Sequence, residues 1–444
     1  MNLASQLNNY STIFSLVFAG LLVLVLIVKY WLAMRQIRHV AQHRNHVPDA
    51  FVNNISLSAH QKAADYTLTK ARLGLLELAL GTALLVAWTL MGGLHALNSW
   101  LLGLVGNSYG GMAQQLALFV SFAVIGSLID LPFTLYQTFV IEERFGFNKM
   151  TFKLWLADAV KSSLLGALIG LPLAALILWL MGAAGTYWWL WTWGVWMVFN
   201  LLILLLYPTV IAPIFNKFKP LEDEILKTRV TALMQRCGFA AKGLFVMDGS
   251  KRSGHGNAYF TGFGASKRVV FYDTLLAKLA PAEVDAVLAH ELGHFKHKHV
   301  TKRMLALFAL SLIGFALLGW LSAQTWFYTG LGVIPNQLTN TGVPDNALAL
   351  LLLLLALPVF TFFISPLFAQ LSRMHEFEAD AYAVQQTAGG DLAQALLKLY
   401  DDNASTLTPD PLFVKFYYSH PPASERLARM GFTGPMSTNL KEAV

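Results

Sequence analysis

Residues 347–368 read ALALLLLLLALPVFTFFISPLF, a run without a single charge. A bilayer core about 30 Å thick is crossed by roughly 20 apolar residues in a helix, so this run is read as a transmembrane helix. Working outward from it, six further stretches meet the same length: 13–33, 73–97, 116–139, 164–184, 188–211 and 304–326. Composition agrees, with 56% hydrophobic and 13% charged residues and a mean hydropathy of +0.52, outside the balance of a soluble domain. The first stretch has no basic region before it and no Ala-x-Ala-like cleavage site after it, and is expected to be a retained signal anchor. The single cysteine, Cys237, excludes an internal disulfide and a cysteine-based zinc site, which leaves His, Asp or Glu to hold any metal.

A net charge of +7 would suit nucleic acid, but its distribution accounts for it otherwise. Arg35, Arg38, Arg44, Lys62, Lys70 and Arg72 follow the first span, Arg144, Lys149 and Lys153 the third, and Lys217 and Lys219 the fifth. The alternate loops, 98–111, 185–187 and 327–346, hold no Lys or Arg. The positive-inside rule then puts the N-terminus outside and the C-terminus in the cytoplasm, and no nucleic-acid role is expected. The chain divides into helices one to five with their loops (1–215), a cytoplasmic segment (216–303), helices six and seven (304–372) and a cytoplasmic tail (373–444). Within the first cytoplasmic segment 243–248, 257–264 and 268–273 read as short strands, and Pro281 opens a helix over 282–299. The two cytoplasmic segments are expected to fold together as one small α+β domain on the helical bundle.

That helix carries Ala289-His290-Glu291-Leu292-Gly293-His294-Phe295. Positions i and i+4 share a helical face, so both imidazoles of this HExxH can reach one ion. Neutral imidazole suits Zn²⁺, and a catalytic site uses three protein ligands with a fourth position for water. Zinc lowers that water's pKa toward about 7, and Glu291 can take its proton and pass it to a leaving amine, which points to metal-assisted peptide hydrolysis. The pattern also arises by chance, but Gly293 would permit close helix packing beside it. His297 and His299 are read as cations near the end of the helix. The third ligand must lie elsewhere. In Arg373-Met374-His375-Glu376-Phe377-Glu378-Ala379-Asp380, Glu376 and Asp380 share a face while Glu378 points away. Glu376 is the better ligand, and Asp380 is placed to bond the outer nitrogen of a ligating His. The bland alternative is a charged helix at the membrane edge, against which the small Ala379 and Ala383 argue. For 257–264 an edge strand able to pair with an extended peptide and an internal hairpin strand both remain open.

These residues lie in a chain that resembles the type I CAAX prenyl proteases, a family of membrane zinc metalloproteases. The resemblance runs through Glu142-Glu143-Arg144-Phe145-Gly146-Phe147-Asn148-Lys149, Tyr207-Pro208, Phe215-Asn216-Lys217-Phe218, Asn257-Ala258-Tyr259-Phe260, the HExxH helix, Glu376 to Asp380, and Ser419-His420-Pro421-Pro422 with Arg426. It implies an all-α multi-pass membrane protein whose seven transmembrane helices enclose a chamber, with a zincin-like catalytic domain at the cytoplasmic end. It further implies one Zn²⁺ on His290, His294 and Glu376, Glu291 as base, and Asp380 as a supporting acid able to donate a proton. His420 and Asn257 are implied to lie near the scissile carbonyl, with Arg426 orienting that group. Inside such a chamber Glu77 and Asp130 would face water, although a structural polar pair between helices is an equal reading.

The implied partners are the lipid bilayer and a peptide or protein substrate, prenylated or not. The chain ends Lys441-Glu442-Ala443-Val444 without a dilysine retrieval signal, which favours a bacterial inner membrane over the endoplasmic reticulum. Two alternatives stand beside this reading. One is an HtpX-like quality-control protease with the same zinc chemistry and fewer spans. The other is a transporter whose HExxH is incidental, for which neither zinc nor Glu291 would matter.

Overall fold

The computed structural model describes residues 3–239, 243–261, 268–339 and 341–432, and seven helical segments among them are long and apolar enough to cross a bilayer. The first, α1 (Leu3–His43), has 41 residues and so measures about 60 Å, twice the hydrocarbon thickness. It is about twice as long as a perpendicular crossing requires. A corner at 44–56 buries Phe51 and Ile55, and the Ser56 hydroxyl accepts from Ala59 N to start α2 (Leu57–Trp88). Of the basic residues expected in a loop here, Arg44 lies in the corner, while Arg35, Arg38, Lys62, Lys70 and Arg72 lie on the two helices.

The second span was expected to reach residue 97 but ends at Trp88. Gly92 sits at φ +77, and a separate helix, α3 (Gly93–Leu101), follows. Next come α4 (Gly111–Tyr136), with Pro132 inside it, and α5 (Phe152–Ala183), started by the Thr151 hydroxyl accepting from Leu154 N. The fifth span is α6 (Trp188–Leu206), ending in a π turn at Tyr207–Ile211 around Pro208.

The domain opens with a strand not foreseen from the sequence, β1 (Phe218–Pro220), and α7 (Glu224–Arg236), which Asp223 caps. Strands β2 (Gly243–Met247), β3 (Ala258–Thr261) and β4 (Arg268–Tyr272) complete a sheet of order β1-β2-β4-β3. β2 and β4 are parallel, β1 and β3 antiparallel to their neighbours. Among the described residues β3 ends the sheet and pairs antiparallel with β4, the next strand in the chain; the rest of the expected strand, 262–264, lies outside the described residues, as do residues 441–444.

The HExxH helix is α8 (Pro281–Lys296), with Pro281 at its start and the Glu283 carboxylate accepting from Ala280 N at 2.7 Å. It stops short of the expected His299 because Lys298 takes a left-handed φ of 56, and His299 begins the sixth span, α9 (His299–Leu321), which also ends before the expected residue 326. The seventh span bends. α10 (Asn346–Thr361) contains Pro358, a 3-10 turn covers Phe362–Ile364, and α11 (Ser365–Gln386) restarts at Pro366. The chain closes with α12 (Gly389–Asp402), α13 (Pro411–Tyr417) and α14 (Ala423–Arg429).

One apolar core binds the bundle through Phe18, Leu94, Leu178, Phe327 and Leu352. A second joins Val230, Phe271, Leu288 and Leu292 to Ala383, Ala395 and Leu396, so 216–303 and the tail share one core. The corner residues Phe51 and Ile55 pack on Leu397 and Leu427, which ties the N-terminal helices to that domain. A cavity of about 1080 Å³ lies where the bundle meets the domain. Glu77 and Asp130 line a smaller one of about 310 Å³ between α2 and α4.

Candidate metal centre

α8 packs against α11 more extensively than against any other helix, and Gly293 permits the closeness. A Cβ built there would sit 2.9 Å from Ala379 Cα and 3.0 Å from Ala379 O, so only glycine fits. Across this contact His290 Nε2 and His294 Nε2 lie 3.3 Å apart. Glu376 approaches them with Oε2 at 3.5 Å from the first and Oε1 at 3.4 Å from the second. The three side chains can each offer one donor within 4.8 Å of the others, a set that could hold a metal ion.

The surroundings fit a cation. Glu376 Oε2 is buried without a hydrogen-bond partner, a cost that an ion between the donors removes. Burial would push the His290 imidazole down, yet Asp380 and Glu376 hold it up at about 9, so the pocket stabilises positive charge. Two imidazoles and a carboxylate suit Zn²⁺.

Each imidazole is oriented from behind. Asp380 Oδ1 accepts from His290 Nδ1 at 2.8 Å, so that when a cation takes the place of the Nε2 proton the freed lone pair faces the centre. Arg426 donates to both oxygens of Asp380, from Nε at 2.8 Å and from Nη2. These bonds tie Asp380 and Arg426 to His290. In this arrangement Asp380 is an acceptor whose carboxyl Arg426 and His290 hold below the usual carboxylate range, and Arg426 also stands 3.9 Å from Glu376 Oε2 through Nη1. His294 Nδ1 lies 2.9 Å from His299 Nδ1, and His299 Nε2 donates to Glu378 Oε2 at 2.7 Å. His299 is 4% exposed and its ring stacks on His375 at 4.0 Å, so it is a buried member of this shell and not an end-of-helix cation. The turn at Lys298, which swings His299 back over His294, is the signal sequence reasoning missed.

Glu291 is half-buried beside the ligand pair, and desolvation raises its carboxyl against the pull of both histidines. His420 Nε2 stands 3.4 Å from Glu376 Oε1 while its Nδ1 faces Ser419 Oγ at 2.9 Å. The loop carrying it is fixed by Arg373, whose Nη1 donates to Val414 O and Tyr418 O, and by Arg35 bonded to Asp410 at 2.8 Å. His420 and Asn257 line the large cavity together, but the Asn257 side chain accepts from Ala258 N and has no contact with the three donors.

Residues 36–217 match the family described as CAAX prenyl protease N-terminal, five membrane helices, and residues 220–431 match peptidase family M48. CAAX prenyl protease 1 of Saccharomyces cerevisiae is 36% identical over 74% of this chain and 74% of its own length. The chain belongs to peptidase family M48. The CAAX prenyl protease 1 homologs of Oryza sativa subsp. japonica and Homo sapiens are 33% and 31% identical, covering 92% and 93% of this chain and 95% and 94% of their own. The crystal structure of S. mikatae Ste24p superposes with a TM-score of 0.86 at 30% identity, over 94% of this chain and 98% of that one. This member of the family is a multi-pass membrane zinc metalloprotease of the CAAX prenyl protease 1 type, acting on peptide or protein substrates. The match to the five-helix family over 36–217 sets aside the HtpX-like alternative, and family membership sets aside the transporter.

Proposed function

We propose that His290, His294 and Glu376 hold one Zn²⁺ and that the protease cleaves C-terminal CAAX-type sequences, prenylated ones among them, at the cytoplasmic face. The observation that carries this reading is the convergence of the two HExxH imidazoles on a buried Glu376 oxygen that has no other partner. When bound, zinc supplies a Lewis acid that polarises a water and the scissile carbonyl. Glu291 accepts the proton of the attacking water and returns it to the leaving amine, a task that suits a carboxyl raised by burial. With Nδ1 accepting from Ser419 Oγ, His420 keeps its proton on Nε2 and donates it toward the developing oxyanion. An extended substrate adds to the outer side of β3, the last strand of the sheet among the described residues, and Asn257 just before that strand meets its main chain. Asp380 and Arg426 act through His290 by fixing its ring.

The basic loops support an N-terminus outside and an active site in the cytoplasm. The test uses purified, detergent-solubilised protein, a farnesylated CAAX peptide and measured zinc content. Wild type releases the terminal tripeptide in a chelator-sensitive way, while Glu291→Gln keeps zinc and releases none. Cleavage by Glu291→Gln sinks the general-base role, and zinc-loaded wild type that leaves this peptide intact sinks the CAAX reading.

A further inference from the structure

The cavity of about 1080 Å³ begins at His420 and Asn257 and extends to Lys70 on α2. Among the described residues lining it, Lys70 carries the one full positive charge, and none is Asp or Glu. Lys70 precedes the apolar stretch 73–97, on the part of α2 that faces the domain, and lines this cavity. The Lys70 side chain is 44% exposed. Its Nζ donates to Tyr66 Oη at 3.3 Å, which occupies one of three N–H donors. The neighbouring carboxylate, Glu142, lies 3.9 Å away and is engaged elsewhere: Oε1 accepts from Tyr66 Oη at 2.7 Å and Oε2 faces His255 Nε2 at 3.7 Å. Lys70 therefore keeps donors for something that enters the cavity.

The separation fits a short peptide. His420, whose Nε2 is 3.4 Å from Glu376, and Lys70 line one cavity of about 1080 Å³, and a space of that volume is on the order of 10 Å across. Three extended residues cover about 10 Å. A peptide whose scissile bond lies at the metal centre can thus bring its own terminus to Lys70. The chemistry that completes an ammonium with free donors in a cavity without lining acids is a carboxylate.

We infer that Lys70 binds the free α-carboxylate of the substrate, so that the protease reads the end of the peptide as well as the bond it cuts. This rests on the reading that cleavage occurs close to a C-terminus. The bland alternative is that Lys70 only neutralises Glu142. That role predicts nothing about the substrate's terminus.

The experiment uses two farnesylated peptides of one sequence, one ending in a free acid and the other in an amide, with the full-length protein in detergent. For wild type, kcat/KM on the acid exceeds that on the amide by roughly 10- to 100-fold. In Lys70→Met the ratio falls to about one, and in Lys70→Arg it returns in large part. Because each ratio is taken within one protein, partial unfolding or zinc loss cancels from it. A wild-type ratio near one overturns the inference while leaving CAAX cleavage in place, and so does a Lys70→Met ratio equal to wild type. Cleavage of neither peptide by zinc-loaded wild type overturns the CAAX reading and the inference with it.

Discussion

His290 and His294 are one turn apart on α8, yet their outer nitrogens are held by different chemistry. Behind His290 stands Asp380 locked by Arg426, a charged clamp. Behind His294 stands the imidazole of His299, itself held by Glu378. If His299 Nε2 donates to Glu378, its Nδ1 accepts from His294 Nδ1, and His294 is left with an Nε2 lone pair facing the centre. His299→Ala removes the acceptor and frees the ring to turn. The expected result is a 10- to 100-fold (order of magnitude) loss of zinc affinity, read by chelator competition, with a smaller loss for Glu378→Gln. Unchanged affinity in His299→Ala would reduce His299 to packing. No spacing rule exposes this relay, because His299 and Glu378 are 79 residues apart and meet only after the left-handed turn at Lys298. By contrast, the pairing of His290 with His294, and of Glu376 with Asp380, follows from the helical repeat and could be read from the chain.

At the scale of elements, the centre depends on how closely α8 and α11 approach. Ala379 and Ala383 are fully buried on α11, and Gly293 faces Ala379 from α8. Neither backbone can yield to a new methyl group, since the atoms 2.9 and 3.0 Å from it are main-chain atoms of Ala379. Gly293→Ala must therefore move one helix relative to the other, and with it Glu376 relative to both imidazoles. Overpacking of this kind costs about 1–3 kcal/mol, and a shift of about 1 Å at a reacting centre costs on the order of 100-fold in rate. The variant is expected to lose zinc and to lose kcat/KM by that factor while remaining folded by circular dichroism. Full zinc loading with normal rates would mean that the donors follow the helices and that the glycine serves only assembly.

At the scale of the whole molecule, the seven spans were legible because hydropathy over some twenty residues averages out local detail. Where they end was not. α1 and α2 run on past the bilayer because their extensions pack on the domain, burying Phe51 and Ile55 against Leu397 and Leu427, and a hydropathy average carries no trace of that contact. β1 was equally hidden, since Phe218–Pro220 is too short to show alternation. A similar tie lies on the other flank, at Arg252. Its guanidinium bonds Asp158 on α5 at 2.8 Å, Phe215 O at 2.6 Å and Asn216 Oδ1 at 3.0 Å, so one side chain joins the bundle, the exit of the fifth span and the loop that leads to Asn257. The pair is largely shielded, with 19% and 15% of the two side chains exposed, and Arg252→Met leaves Asp158 without its partner. We expect a loss of about 1–3 kcal/mol. The more telling readout is where the loss appears. Hydrogen exchange should rise in 249–256 while α8 stays protected by its own core, because the HExxH helix is held by α11 and α12 and does not touch Arg252. Faster exchange confined to that loop, with reduced kcat/KM and normal zinc content, would establish that the bundle positions the substrate edge and leaves the metal centre to the domain. Exchange that rises equally in α8 would show that bundle and domain open as one unit.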